Sequence, residues 1–192
     1  DIGSCVARTF TRGFSMKVLG CRRSPPASAP GSTATTATGT LPVPGNEDGS
    51  HVSEVFGVDQ LGEFLAACDY VVSVLPSTQE TRGLLDGDVL QACGARRAVL
   101  INVGRGDLLS EETILKALEQ GWLRHYVGDV FAPEPLPAAS RLWAREDVTI
   151  TPHVSAVSQP EDAAIAFEDN LRRYEEGGTS ALKHIFGWER GY

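Results

Sequence analysis

The chain has 192 residues, 42% hydrophobic and 22% charged, which is typical of a soluble globular protein with one ordinary core. Its formal net charge of −8 argues against non-specific binding to nucleic acid or to an anionic membrane surface. The 4 cysteines lie far apart, which favours reduced thiols over a disulfide framework or a zinc site. Since no segment has the pattern of a membrane span or a secretion signal, we expect a cytoplasmic protein with no bound metal.

The first elements predicted are a helix over residues 4–14, ending near Gly13, and a short strand over residues 17–21. The helix is indicated by the spacing of three apolar residues, Val6, Phe10 and Phe14. Gly3, a helix and a strand in succession match the end of a dinucleotide-binding fingerprint. A helix that merely packs on a strand would give the same pattern.

Two arginines, Arg22 and Arg23, follow this strand. In dinucleotide-binding folds, the end of the second strand meets the adenosine ribose, and arginine there accommodates a 2′-phosphate. Taken alone, the pair would be better explained by a solvated basic turn, but in this context we favour a phosphate contact. Residues 25–50 are a low-complexity insert of Pro, Ala, Gly, Ser and Thr, which has almost nothing to bury and predicts a flexible loop.

Helices and strands then alternate to the end of the chain, which favours the α/β class with a parallel sheet. Strands are predicted over residues 69–75, 98–103, 126–131 and 148–151. Helices are predicted over residues 61–68, 86–93, 110–120 and 159–176. In the last helix, the candidate apolar positions are Ile165, Phe167, Leu171 and Tyr174.

Polar side chains follow three of these strands. Arg105 lies in a Gly-Arg-Gly turn, Glu134 lies between two prolines, and His153 follows Pro152. Because parallel strands share one carboxyl edge, the three side chains can converge there. Arginine can bind a carboxylate through two parallel hydrogen bonds, histidine can donate a proton near neutral pH, and a carboxylate can orient the imidazolium. Arg105 alone is equally consistent with a solvated turn, and Glu134 and His153 alone are better explained as solvated or capping residues. Together the three predict an active site.

Several segments resemble the signature blocks of the D-isomer-specific 2-hydroxyacid dehydrogenases. The resemblance lies in residues 1–3 with 16–18, 74–81, 101–106, 129–137 and 151–153, and it extends over nearly the whole chain except the insert. Within that family, the Arg22-Arg23 pair, Leu142-Trp143 and the terminal Arg190-Gly191-Tyr192 resemble the glyoxylate/hydroxypyruvate reductases that use NADPH.

The resemblance implies a role for each matching residue. Arg105 would bind the substrate carboxylate, His153 would be the acid/base, and Glu134 would be its partner. Related formate dehydrogenases carry glutamine at the position of Glu134, so a keto-acid reductase is favoured. Asp129 would face the nicotinamide carboxamide. The remaining cofactor-binding positions would be Asp1, Ile2, Gly3, Arg22, Arg23, Leu75, Pro76, Thr81, Val103 and Gly104.

The fold implied is a doubly wound parallel sheet, Rossmann-like, that lacks its first strand. Residues 1–157 would form a fragment of the NAD(P)-binding domain, and residues 158–192 would be a helix and tail returning toward an absent substrate domain. Because the first strand would be central, its loss would leave two strand edges unpaired. We therefore expect the chain alone to fold poorly or to need a partner, and to be inactive.

The leading functional hypothesis is hydride transfer between NADP(H), or less favourably NAD(H), and a small 2-keto acid, by a protein that forms a homodimer when full length. Two alternatives stay open. One is a catalytically silent NAD(P)-sensing protein of the corepressor type, which can keep the same three residues. The other is an inactive fragment.

Overall fold

The computed structural model describes residues 2–23, 51–156, 159–183 and 185–187. Asp1, the insert at residues 25–50 and parts of the C-terminal tail lie outside the described residues. The described helices are α1 (Ile2–Phe14), α2 (Leu61–Ala67), α3 (Glu111–Glu119) and α4 (Pro160–Gly177). The described strands are β1 (Leu19–Arg22), β2 (Glu54–Gly57), β3 (Tyr70–Ser73), β4 (Ala98–Asn102), β5 (Leu123–Gly128) and β6 (Val148–Ile150).

The strands form two parallel sheets, one of β1 and β2 and one in the order β3-β4-β5-β6. Within the described ranges, no strand pairs with β1 on its side opposite β2, nor with β3 on its side opposite β4. The division falls where the predicted order 3-2-1-4-5-6 places strand 1. The prediction of a doubly wound α/β fold is confirmed, and so is the position of the gap in the sheet.

The core lies around β4, whose apolar residues predict a strand covered on both faces. Ala98 and Leu100 have no exposed surface, and α3 packs beside β5. Helix α3 begins as predicted, because the Ser110 hydroxyl accepts a hydrogen bond from the backbone N–H of Thr113 at 3.3 Å. Gly121, at φ +70°, follows the helix in the left-handed conformation that glycine adopts freely. These features set the limits of α3, the helix that connects β4 to β5.

The predicted elements differ most from the structure in two places. Residues 86–93 were expected to be helical throughout, but only Val89–Cys93 form a short 3-10 helix. Gly87, at φ +72°, interrupts regular structure just before it. The strand predicted over residues 126–131 was wrong in its limits, since β5 is Leu123–Gly128. Val130 is buried in the turn after the strand, so its apolar character does not indicate strand there.

Helix α4 begins and ends close to the predicted residues, but its apolar side chains are exposed. Phe167, Leu171 and Tyr174 lie on one face of the helix, and Ile165 lies on another; each is about half exposed or more. Periodicity therefore identified the helix correctly without identifying a partner for its apolar face. None of the helices in the described ranges has both the length and the apolar character needed to cross a bilayer.

Candidate active site

The Arg105 turn is fixed by two close approaches of backbone to backbone. A Cβ atom at Gly104 would lie 2.6 Å from the Leu75 carbonyl oxygen, and one at Gly106 would lie 2.0 Å from the Phe131 carbonyl carbon. Only glycine permits such contacts. The turn is therefore wedged between the segments that follow β3 and β5, and it presents the exposed Arg105 side chain at the carboxyl edge of the sheet.

Side chains on the loop after β3 strengthen this attachment. The Ser77 hydroxyl donates to Asp107 Oδ2 at 2.5 Å, and Arg82 Nε donates to the same oxygen at 3.3 Å. The backbone N–H of Gly83 donates to the Asp107 carbonyl at 2.8 Å. Because Asp107 lies two residues after Arg105, these bonds hold the loop after β3 against the arginine turn.

Glu134 and His153 are in direct contact. Glu134 Oε2 lies 2.9 Å from His153 Nδ1, and Glu134 Oε1 accepts from the backbone N–H of Phe131 at 2.8 Å. The Phe131 hydrogen bond is the largest cause that lowers the pKa of Glu134, followed by His153 and then by the positive charge of Arg105. Glu134 is thus a carboxylate at neutral pH, held in place at both oxygens.

The structure therefore brings the three predicted catalytic side chains to one edge. Glu134 touches His153, and Arg105 lies close enough for its charge to act on Glu134. With Nδ1 of His153 directed at the carboxylate, Nε2 is the ring nitrogen that can meet a substrate. The catalytic roles themselves stay predictions.

The backbone of His153 is held by Asp129. His153 has φ +54°, a conformation that costs a non-glycine residue free energy and persists only when its surroundings enforce it. The buried Asp129 carboxylate accepts hydrogen bonds from the Thr151 hydroxyl and from the backbone N–H groups of Val154 and Ser155, the latter two at 2.9 Å each. The turn is thus fixed on both sides of the histidine.

These partners bear on the role expected for Asp129. Its two oxygens are engaged by three donors of the chain itself, and the Ser155 hydroxyl lowers the pKa of Asp129 further. A carboxylate offers about four lone-pair directions. The predicted contact with a nicotinamide carboxamide stays a prediction; in the described residues, Asp129 is a support for the histidine turn.

Replacing Asp129 with asparagine should make stability less sensitive to acid. Burial alone would raise the pKa of Asp129, but its hydrogen bonds hold it well below the ordinary value of 3.8. A depressed folded pKa contributes stability above the unfolded pKa, and that contribution is lost as pH falls through the folded value. We expect Asp129→Asn to cost about 2 kcal/mol of unfolding free energy at neutral pH. We also expect a flatter stability profile below about pH 4.

Urea unfolding at a series of pH values measures both effects. Asp59→Asn is the matched control, because it removes an exposed carboxylate from a short 3-10 helix. Equal pH profiles for Asp129→Asn and the unchanged protein would contradict the prediction.

On the side of the sheet predicted to hold a cofactor, Arg22 ends β1 and Arg23 follows it. Both are exposed, and Arg23 Nη2 pairs with Glu80 Oε2 at 3.2 Å. Glu80 belongs to the segment that follows β3. The ion pair therefore joins the carboxyl ends of β1 and β3, the strands on either side of the division between the two sheets. In this position the arginines lie at the same sheet edge as Leu75 and Pro76.

The other predicted cofactor positions also lie at strand ends. Leu75 and Pro76 are half-buried, and the Thr81 hydroxyl donates to the Pro76 carbonyl at 2.6 Å, closing the turn after β3. Val103 donates its backbone N–H to the Ser73 carbonyl at 3.0 Å. Ile2 and Gly3 are the first residues of α1, where helix N–H groups lack partners within the helix. Asp1 lies outside the described residues.

Sequence reasoning missed Asn102 and Thr151 as members of the site. Asn102 is fully buried at the end of β4 and bonds to the Arg105 turn, while Thr151 bonds to Asp129. A signal for Asn102 was available, since it is the polar residue that ends an apolar strand just before a glycine turn. No comparable signal marks Thr151, because its partner lies 22 residues earlier in the chain.

Together these features define a dinucleotide-binding type of α/β domain with a histidine–carboxylate pair beside an arginine. Residues 42–155 match the family model described as D-isomer specific 2-hydroxyacid dehydrogenase, NAD binding domain. The chain therefore belongs to the D-isomer-specific 2-hydroxyacid dehydrogenase family. This membership confirms the resemblance inferred from the sequence.

Individual relatives agree with this assignment. Glyoxylate/hydroxypyruvate reductase A of Serratia proteamaculans is 40% identical over 130 residues, which cover 68% of this chain and 41% of that protein. Its counterpart from Photorhabdus laumondii is 36% identical over 131 residues, covering 68% of this chain and 42% of that protein. The chain thus spans about two fifths of the length of these curated relatives.

Solved structures give the same result. A D-isomer specific 2-hydroxyacid dehydrogenase from Xanthobacter autotrophicus Py2, in complex with NADPH and MES, has a TM-score of 0.79 and 34% identity, covering 99% of this chain and 68% of that one. An NADPH-dependent glyoxylate/hydroxypyruvate reductase from Sinorhizobium meliloti, in complex with NADP and sulfate, has a TM-score of 0.78 and 30% identity, covering 99% of this chain and 54% of that one.

Proposed function

We propose that the complete protein containing this chain reduces a small 2-keto acid, such as glyoxylate or hydroxypyruvate, with NADPH as the preferred cofactor. The observation that carries the proposal is the Glu134–His153 hydrogen bond beside Arg105 at the carboxyl edge of the sheet. The names of the relatives support the substrate class and the cofactor. Homodimer formation belongs to the same proposal and rests on the sequence resemblance. A cytoplasmic location belongs to it as well and rests on the four scattered cysteines, which favour reduced thiols.

Each side chain has a chemical task in this reduction. The planar Arg105 guanidinium binds the substrate carboxylate through two parallel hydrogen bonds and polarises the neighbouring carbonyl. His153 donates a proton from Nε2 to the carbonyl oxygen as negative charge develops there. The Glu134 carboxylate accepts from Nδ1, which stabilises the protonated imidazole and fixes its orientation. A bound nicotinamide cofactor supplies the hydride.

The chain's own residues fit a phosphorylated dinucleotide. Arg22 and Arg23 place two guanidinium groups at the end of β1, the position where an arginine accommodates a 2′-phosphate. Leu75, Pro76 and Val103 provide half-buried apolar surface at the neighbouring strand ends. The arginines suit the charged 2′-phosphate of such a cofactor, and the apolar surface suits its flat rings.

Replacing both Arg22 and Arg23 with alanine should weaken NADPH binding by about 10- to 100-fold, as expected for the loss of charge-assisted hydrogen bonds to a phosphate. NADH binding should change little, because NADH carries no 2′-phosphate. Fluorescence titration of the complete protein with each cofactor gives the two Kd values. Arg8→Ala with Arg12→Ala, two arginines of α1, is the control and should leave the NADPH-to-NADH ratio unchanged. Equal weakening of both cofactors by the Arg22/Arg23 variant would refute the phosphate contact.

Turnover tests the proposed reaction. The complete protein should consume NADPH when glyoxylate or hydroxypyruvate is added, and each mole of NADPH oxidised should yield one mole of the 2-hydroxy acid. Binding of NADPH without turnover of either acid would contradict the proposal and favour the nucleotide-sensing alternative.

A further inference from the structure

Asn102 is a polar residue in β4, the most buried of the strands in the described residues. It ends β4 and has no exposed surface, and the strand before it is otherwise apolar. Burying an amide costs free energy unless its oxygen and nitrogen are hydrogen-bonded. The hydrogen-bond partners of the Asn102 side chain therefore show why β4 ends in a polar residue.

Those partners belong to the arginine turn. Asn102 Oδ1 accepts from the backbone N–H of Gly104 at 3.2 Å, and Asn102 Nδ2 donates to the backbone carbonyl of Arg105 at 2.9 Å. The amide thus bridges both peptide groups that carry the arginine. Because glycines flank Arg105, the local chain has wide conformational freedom of its own, and these two bonds remove much of it.

Asn102 is also connected to the next strand. The Tyr126 side chain on β5 is 1% exposed, and the Asn102 side chain partly offsets the rise in the pKa of its phenol that burial causes. The Asn102 carbonyl accepts from the backbone N–H of Asp129 at 3.0 Å, and Asp129 holds the His153 turn. The same residue therefore connects the support of the arginine with the support of the histidine.

We propose that Asn102 is a positioning residue for the reduction: its side-chain amide sets the direction in which Arg105 leaves the sheet edge, and so the orientation of the bound keto acid. The inference rests on the proposed function, since it assigns Arg105 to the substrate carboxylate. Asn102 touches no reacting atom in this scheme. When its bond to Arg105 is lost and its bond to Gly104, a predicted cofactor position, is kept, the effect should appear in the KM for the keto acid and not in the affinity for the cofactor.

Asn102→Asp in the complete protein is the main variant. It keeps the size of the side chain and an acceptor for Gly104, but it places a carboxylate oxygen against the Arg105 carbonyl in place of a donor. We expect the KM for glyoxylate to rise about 10- to 100-fold, as for a lost hydrogen bond with an unfavourable contact. The Kd for NADPH should stay within about 2-fold, and kcat should fall less than KM rises. Asn102→Ser introduces no charge and is too short to reach the Arg105 carbonyl, so it gives the same test if Asn102→Asp does not fold.

A double-mutant cycle separates positioning from general structural damage. If Asn102 acts through Arg105, Asn102→Asp should add no further KM increase in the Arg105→Ala background. Tyr126→Phe is the control, since it removes one hydroxyl but leaves both bonds from Asn102 to the turn, and its KM change should stay below about 3-fold. If the KM increases of Asn102→Asp and Arg105→Ala multiply in the double variant, the inference is overturned while the proposed function stands. An unchanged KM in both Asn102 variants would have the same consequence. An unchanged KM in Arg105→Ala would overturn the proposed function, and the inference with it.

Discussion

Replacing His153 with asparagine should lower kcat for glyoxylate by about 10²- to 10⁴-fold in the complete protein, the range found when a general acid is removed. Asparagine is close in size and can still hydrogen-bond to Glu134, but it cannot carry the proton. The Kd for NADPH should be unchanged, because the cofactor positions lie on other strand ends. Steady-state kinetics and cofactor titration of the same preparation measure the two effects.

The matched control for this variant is His125→Asn. His125 lies on β5 and is half-buried, and its Nε2 lies 2.9 Å from the Thr149 hydroxyl on β6. It resembles His153 in residue type and in having a single polar side-chain partner, but it is not at the carboxyl edge. Turnover should be nearly normal in His125→Asn. Retention of more than about a tenth of the activity by His153→Asn would remove the histidine from the acid/base role.

Of the variants expected to change the unfolding free energy, Gly106→Ala should lower it most. The added Cβ would lie 2.0 Å from the carbonyl carbon and 2.2 Å from the carbonyl oxygen of Phe131, so relief requires a backbone to move. Overpacking of this kind costs about 3 kcal/mol of unfolding free energy, and here the displaced turn also carries Arg105. In the complete protein, we therefore expect a fall in thermal midpoint of about 6–12 °C together with a loss of keto-acid turnover.

Gly62→Ala is the control for that experiment. Gly62 lies in α2 and has open space around the position of a Cβ, so alanine should stabilise the helix by about 0.5–1 kcal/mol. A thermal midpoint for Gly106→Ala equal to that of the unchanged protein would show that the turn can move away from Phe131. Arg105 would then not be fixed in the way described.

The parts of the fold that were predictable depend on short-range patterns. Apolar, β-branched residues at 98–103 predicted a buried strand, and the structure has one at Ala98–Asn102. Ser110 and the carboxylates after it predicted the start of α3. Arg105, Glu134 and His153 could be brought together from sequence because each follows a strand, and parallel strands share one carboxyl edge.

The remaining features depend on contacts between distant segments. The Asp129 carboxylate is satisfied by residues 22 to 26 positions later in the chain, which no local pattern encodes. Gly104 and Gly106 could be recognised as turn residues, but their wedging against Leu75 and Phe131 required coordinates. The apolar face of α4 shows the same limit, since periodicity reveals a face and leaves its contacts undefined.

The central claim is that one small organic acid meets both the guanidinium of Arg105 and the imidazole of His153. A crystal structure of the complete protein with NADP⁺ and oxalate, an unreactive dicarboxylate, tests it directly. We expect the guanidinium nitrogens of Arg105 and His153 Nε2 to lie within hydrogen-bond distance, about 3 Å, of the same oxalate ion. An oxalate bound to Arg105 with the imidazole turned away from it, or bound at another edge of the sheet, would contradict the account.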